Sequence, residues 1–126
     1  MSGSQITNTH AAIGAATATA AAGSSATATV PAAGVGLFNY ITGIIVELTA
    51  TAALTGTAPN IFTTTGLAGN PSFDLAGALA AGANDRMVIN FTQPLRGSAL
   101  NTAITIVSPA VTNGICKCTA FYNTDV

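Results

Sequence analysis

The side chains that could do acid–base or nucleophilic chemistry are few in this sequence. They comprise one histidine, His10, two cysteines, Cys116 and Cys118, and four carboxylates. No spacing among them matches a known catalytic motif, and a general base in a stretch of small residues such as that around His10 lacks the rigid surroundings that catalysis requires. We therefore predict no catalytic residues and no cofactor, and we interpret His10 as a residue of an arm or an interface.

Two of the carboxylates leave an enzymatic alternative open. A glycosidase needs two acids several ångströms apart across a cleft, and the sequence alone permits Asp74 with Asp85. The simpler interpretation is that Asp85 opens a strand or pairs locally with Arg86, and that Asp74 faces solvent or caps a turn. A structural role for both acids is the interpretation we favour.

Glu47 lies in the most apolar segment of the chain, between Val46 and Leu48. If its carboxylate is buried it needs a cationic partner, because an unpaired buried charge costs on the order of several kcal/mol. Arg86 and Arg96 are the candidate partners. We predict a structural ion pair of Glu47 with one of these two arginines.

The two cysteines are separated by one residue, in Cys116-Lys117-Cys118. A strand would place both thiols on one face, roughly 6–7 Å apart, which exceeds the usual reach of a disulfide. A metal site would need two further ligands, and His10 lies at the other end of the chain. The sequence therefore predicts two reduced, half-buried thiols and no metal.

The composition points to a protein whose surface is covered by other subunits. Only 6% of the 126 residues are charged, whereas an average soluble domain is about a quarter charged.

The three cations, Arg86, Arg96 and Lys117, form no basic patch for phosphate, so we predict no nucleic-acid partner. The apolar window 36–54 is interrupted by polar residues and lacks cationic flanks, so we predict no membrane segment. The N-terminus has no cationic region typical of a signal peptide, so we expect synthesis in a cytoplasm.

Residues 1–34 differ from the rest of the chain, because they carry neither charged nor aromatic side chains apart from His10. We interpret them as an extended N-terminal arm and first strand, loose to about residue 23, and residues 35–126 as the domain itself. The arm is covered either by its own domain's sheet or by a neighbouring subunit.

Short strands separated by Gly, Pro and Asn turns follow the arm. The most regular alternation places one parity of a long strand in the core, at Phe38, Tyr40, Ile44, Val46, Leu48, Ala50, Ala52 and Leu54. Further strands are predicted at 61–65, 72–75, 85–93, 99–107 and 115–122, with Pro94 ending one of them. This pattern, without a convincing helix, predicts an all-β protein with a single antiparallel β-sandwich.

The segment from Asn84 to Pro109, NDRMVINFTQPLRGSALNTAITIVSP, resembles small virion structural proteins of tailed bacteriophages. In those proteins a strand leads through a Gln-Pro-Leu turn and an Asn-Thr-Ala segment into a β-branched strand, followed by a Gly-containing hairpin. The resemblance extends from Leu37 to the C-terminus. The matching positions, which we interpret as turn and interface residues, are Gln93, Pro94, Leu95, Arg96, Asn101 and Thr102.

The resemblance implies a jelly-roll-like sandwich, commonly trimeric, on the outer capsid surface of a virion. A decoration or cement protein of this kind has no catalytic residues, and its expected partners are the major capsid protein and copies of itself. The sequence leads us to expect clamping through the arm and one apolar edge. An alternative function is a head-fibre or tail-tip module that binds a receptor or glycan through loops near 62–69 or 113–115.

Overall fold

The structure is a computed structural model that describes residues 14–126. Within that range every regular element is a β-strand, and all the strand ladders are antiparallel. The predicted all-β class and antiparallel sandwich are therefore confirmed. In chain order the strands are β1 (Gly14–Thr19), β2 (Thr27–Val30), β3 (Phe38–Ala50), β4 (Leu54–Thr55), β5 (Asn60–Thr65), β6 (Phe73–Leu75), β7 (Ala78–Leu79), β8 (Asn84–Arg96), β9 (Ile104–Val107) and β10 (Gly114–Asp125).

Two four-stranded sheets face each other across the core. Sheet A has the order β1-β10-β3-β8 and sheet B the order β2-β9-β5-β6, while β4 and β7 form a small two-stranded ladder. The strands alternate buried and outward-facing residues, as expected for sheets with one face on a core. The largest fully buried apolar side chains come from both sheets and are Phe62, Ile41, Ile44, Leu48, Ile104 and Ile106.

A β-bulge in β3 changes which residues face the core. The pairing of β3 with β10 shifts between Phe121 and Tyr122, which leaves Thr42 as the extra residue on β3. A bulge inserts one residue and so inverts the alternation on one side of it. The prediction for β3 is confirmed from Ile44 to Ala50, where the strand ends, and Leu54 belongs to β4. It is wrong for the first residues: Phe38 and Tyr40 lie on the outer face, and Ile41 is fully buried.

Pro94 does not end a strand, contrary to the prediction. β8 continues to Arg96, and its pairing with β3 shifts so that residues 91–94 loop out opposite Thr42. Proline lacks the N–H that a ladder needs and is tolerated on edge strands and at bulges. β8 is the edge of sheet A, so the proline falls at a position where it removes no hydrogen bond from the sheet.

One other predicted strand is shorter in the structure, and one short strand was not predicted. The segment 99–107 is a strand only from Ile104, and the side chain of Leu100 is 49% exposed in the preceding turn. The linker after β6 contains the two-residue strand β7, which pairs with β4. In both places, whether a segment forms a strand depends more on the neighbouring strand with which it pairs than on its own pattern of small residues.

The boundary predicted at residue 34 does not separate an arm from a domain. β1 pairs with β10 along its whole length, and β2 pairs with β9 in the other sheet. The inward side chains of these two strands are mainly alanines, and Ala28 is 1% exposed. β1 and β2 are thus covered by strands of their own domain, which is the first of the two alternatives for the arm, while residues 1–13 lie outside the described part of the chain.

This arrangement predicts different effects for two N-terminal deletions. A chain that lacks residues 1–13 keeps every described strand and serves as the reference. Removing residues 1–23 should give a free energy of unfolding at least about 2 kcal/mol lower than that of this reference, because the ladder of β1 with β10 is lost at about 1 kcal/mol per hydrogen bond. Urea unfolding followed by circular dichroism measures both, and equal stability of the two deletions would contradict the structure.

Candidate functional site

The outer face of sheet A carries a row of charges across three neighbouring strands. Glu47 on β3 lies directly opposite Lys117 on β10 and Arg86 on β8. The Glu47 side chain is half-buried on the outer face, and its Oε2 accepts a hydrogen bond from Asn84 Nδ2 at 3.2 Å. Directly opposite residues on neighbouring strands have their Cβ atoms about 5 Å apart. Glu47 thus stands between two cations.

Of the two predicted partners of Glu47, only Arg86 faces it. Arg96 lies opposite Tyr40, near the other end of β3. There the Arg96 guanidinium lies over the Phe38 ring, 4.4 Å from its centroid, and the rings of Phe38 and Tyr40 meet edge to face at 6.4 Å. A guanidinium stacked on an aromatic face gains a cation–π attraction of about 0.5–1 kcal/mol at an exposed site.

An apolar strip lies beside the charge row on the same face. Ile45 and Val88 are directly opposite each other, and the Val88 side chain is 52% exposed. On β10, Thr119 lies opposite Ile45, and Phe121 is the next outward residue, opposite Gly43, where its ring lies against the Cα that carries no side chain. We call Ile45, Val88 and Phe121, together with the row Lys117, Glu47 and Arg86, the sheet A outer surface.

Sequence reasoning identified the charges of this surface but not the strip. In the sequence, the other parity of β3, Ile41, Gly43, Ile45 and Glu47, is apolar in its first half, which predicts that a second layer, such as the arm, covers that half. In the structure, β1 lies beside β10 in the same sheet rather than over this face. The signal available in the sequence was Val88, an apolar residue at the outward parity of β8 between Arg86 and Asn90.

The positions that carried the resemblance are separated into two places. Gln93, Pro94 and Leu95 lie in and beside the β8 bulge, where Leu95 packs against the core and lines a shallow apolar pocket with Phe73 and Phe91. Asn101 and Thr102 lie in the turn between β8 and β9.

The turn at Asn101 is held by hydrogen bonds to the chain between β2 and β3. Asn101 has a φ of 48°, a left-handed conformation that asparagine adopts more readily than most residues. Its Oδ1 accepts a hydrogen bond from Gly34 N at 3.0 Å, and its N donates to Leu37 O at 2.7 Å. Asn39, only 1% exposed, donates from Nδ2 to Pro31 O and Thr102 O. These residues therefore support the fold locally.

The acids of the glycosidase alternative face different ways. Asp74 is exposed on the outer face of sheet B, while Asp85 lies on the inward parity at the start of β8 and its Oδ2 accepts a hydrogen bond from Ala76 N at 2.7 Å. The loop proposed for glycan binding also differs from expectation, because Phe62 is fully buried in β5 and presents no ring at the surface.

Cys116 and Cys118 share the inward face of β10 and are both fully buried free thiols. Their Sγ atoms lie 3.6 Å from Pro109 O and Ile106 O, respectively. Burial raises the pKa of each thiol above its ordinary value, because the thiolate loses its hydration. Between residues 14 and 126, no group of three or more His, Cys, Asp or Glu side chains is placed to hold a metal ion. His10 lies outside the described residues.

The remaining findings concern membrane-crossing helices and the comparisons with known proteins. Over the described range the structure contains no helix long and apolar enough to cross a membrane. No protein family, curated protein or solved structure was found to match this chain.

The buried thiols predict a loss of stability at alkaline pH. The folded state holds these two protons to a higher pH than the unfolded state, so the free energy of unfolding should fall as the pH rises above 9.0, the ordinary pKa of a thiol. Urea unfolding at pH 7 and pH 10.5 measures the change. The double variant Cys116→Ala, Cys118→Ala is the control, and it should lose less stability between the two pH values than the parent. An equal loss in both proteins would contradict this account of the thiols.

Proposed function

We propose that this chain is a non-enzymatic structural protein of a virion, a decoration or cement protein that binds major capsid protein subunits on the outer capsid surface. The observation that carries the proposal is the sheet A outer surface, which combines an apolar strip with a short charge row. The resemblance of residues 84–109 to phage virion proteins supports the same conclusion. Two antiparallel four-stranded sheets are compatible with the jelly-roll-like sandwich of those proteins.

The apolar strip is suited to burial against another subunit. Ile45, Val88 and Phe121 are contiguous across β3, β8 and β10, and none of them is needed to close the core between the sheets. Covering apolar surface contributes about 25 cal/mol per Å² before the costs of association. A strip of three side chains gives a modest affinity per copy, which suits a protein that acts through many identical sites.

The charge row determines the orientation in which a capsid subunit can bind this surface. Lys117 and Arg86 are exposed on either side of the half-buried Glu47, so the row presents two cations and one anion to a partner. A capsid surface with a carboxylate opposite either cation would be favoured, and like charges would be rejected. The row therefore selects the orientation of a partner, while the strip supplies the area.

Residues 1–13 are the remaining candidates for the arm. They precede Gly14 and carry no acidic, lysine or arginine side chains. In the proposal they add a second attachment, by pairing with the edge of a sheet of a neighbouring capsid subunit through backbone hydrogen bonds.

The proposal predicts that one substitution on the outer surface of sheet A weakens attachment to capsids. Val88→Asp should lower the affinity for emptied capsids of the phage that encodes the chain by about tenfold or more, which corresponds to about 1.4 kcal/mol. Co-sedimentation of the full chain with capsids at several protein concentrations measures this affinity.

The matched control places the same charge on the other sheet. Thr63 is exposed on the outer face of β5, so Thr63→Asp should leave capsid attachment within about twofold of the parent. Circular dichroism establishes that both variants fold. Equal attachment of the Val88 variant and the parent would exclude this surface as the capsid contact, and failure of the parent to attach would exclude the cement function.

A further inference from the structure

The two sheets end on the same side of the sandwich in edge strands that share a short sequence. The tetrapeptide Ala-Thr-Ala-Thr occurs at residues 16–19, within β1, and at residues 26–29, where Ala26 immediately precedes β2. β1 is the edge of sheet A and β2 the edge of sheet B, and the two strands pack against each other across the sandwich. In both, the alanines face inward and the threonines face outward. We call this pair of strands the ATAT edge.

The register shows which backbone groups of β1 have no ladder partner among residues 14–126. Ala20 N donates to Cys116 O at 2.9 Å, which continues the ladder of β1 with β10. In an antiparallel ladder every second residue bonds to the partner strand, and the residues between them direct their N–H and C=O to the other side. Ala16 and Ala18 therefore bond to β10, whereas Ala15, Thr17 and Thr19 direct their backbone groups to the open edge.

The same reasoning applies to β2. Ser108 N donates to Ala26 O at 2.8 Å, in register with the ladder of β2 and β9. Ala28 then bonds to β9, and Thr27 and Thr29 direct their N–H and C=O outward. Within the described part of the chain, both sheets thus present backbone groups without a ladder partner at threonines, on strands with neither charge nor proline.

The opposite side of the sandwich is protected in the ways usual for edge strands. β8 carries Asp85, Arg86 and Pro94 and is interrupted by the bulge at residues 91–94. β6, the matching edge of sheet B, is three residues long and carries Asp74. Charges, proline, bulges and short length all oppose pairing with another chain. The ATAT edge has none of the first three.

We propose that the ATAT edge pairs with the ATAT edge of a second copy of this chain, so that both sheets continue across a two-fold dimer. A two-fold axis perpendicular to the sheets sets β1 antiparallel to the partner's β1 and β2 antiparallel to the partner's β2 at the same time. Neutral strands are self-complementary, since no like charges meet, and threonine side chains pair favourably across neighbouring strands.

A two-fold dimer suits this edge better than a three-membered ring of chains does. A head-to-tail ring needs two different surfaces that fit each other, whereas a two-fold dimer needs one surface that fits itself. The protected β8 and β6 edges offer no strand partner for the ATAT edge. The inference therefore replaces the trimer expected from the resemblance with a dimer.

Light scattering of the purified full chain across a range of concentrations tests the proposal without any capsid, so its outcome is independent of the proposed function. The chain mass is 12.3 kDa, and a mass of two chains is expected at high concentration. The double variant Thr17→Pro, Thr27→Pro should have the mass of one chain, because it removes two N–H groups that face the open edge and none that bonds within the sheets.

Two further variants keep the test decisive. Should the proline variant fail to fold by circular dichroism, Thr17→Lys with Thr27→Lys places a charge on each edge strand and should likewise give one chain. The control Thr92→Lys adds the same charge to the protected edge, where residue 92 is exposed, and should remain a dimer. A parent mass of one or three chains, or a dimer that survives the paired lysines, would overturn the proposal.

Discussion

The pairing of β3 with both of its neighbours is the interaction on which the rest of the structure depends. β3 lies between β10 and β8 and is bonded to both along most of its thirteen residues. Its inward residues Ile44, Val46 and Leu48 are at most 1% exposed and face sheet B. Because a slip of one residue would turn these side chains out to solvent, the register of β3 determines which face of sheet A becomes core and which becomes surface.

The bulge at Thr42 changes which residues of β3 face the core on its two sides. Thr42 Oγ1 donates to Phe121 O at 3.2 Å, and on either side of it the alternation is regular but of opposite parity. The inversion brings Ile41 into the core and moves Phe38 and Tyr40 outward, where they form a cluster with Arg96. The one extra residue in β3 thus determines which of these side chains is buried and which form an aromatic patch on the surface.

The sequence was a good guide where large apolar residues alternate and a poor one where they do not. The alternation from Ile44 to Ala50 predicted the inward face of β3, and the all-β class followed from similar segments. A bulge leaves no mark in the alternation except a run such as Ile41 to Ile45, in which both parities are apolar. β1 was missed although residues 16–19 repeat the Ala-Thr alternation of the strand predicted after residue 23, and its place in sheet A comes from its pairing with β10. The sheet A outer surface was only partly anticipated, since cross-strand neighbours such as Glu47 and Lys117 are distant in sequence.

Small residues at the ATAT edge connect the fold to the proposed assembly. Inward alanines let the two edge strands pack closely, and outward threonines leave the backbone accessible between side chains. Amide hydrogen exchange measured residue by residue, in dilute and in concentrated solutions of the full chain, tests this account most directly. It predicts that Ala18 and Ala28 amides are protected at both concentrations, while Thr17 and Thr27 amides exchange rapidly when dilute and become protected when concentrated. Rapid exchange of the Thr17 and Thr27 amides at both concentrations would contradict it.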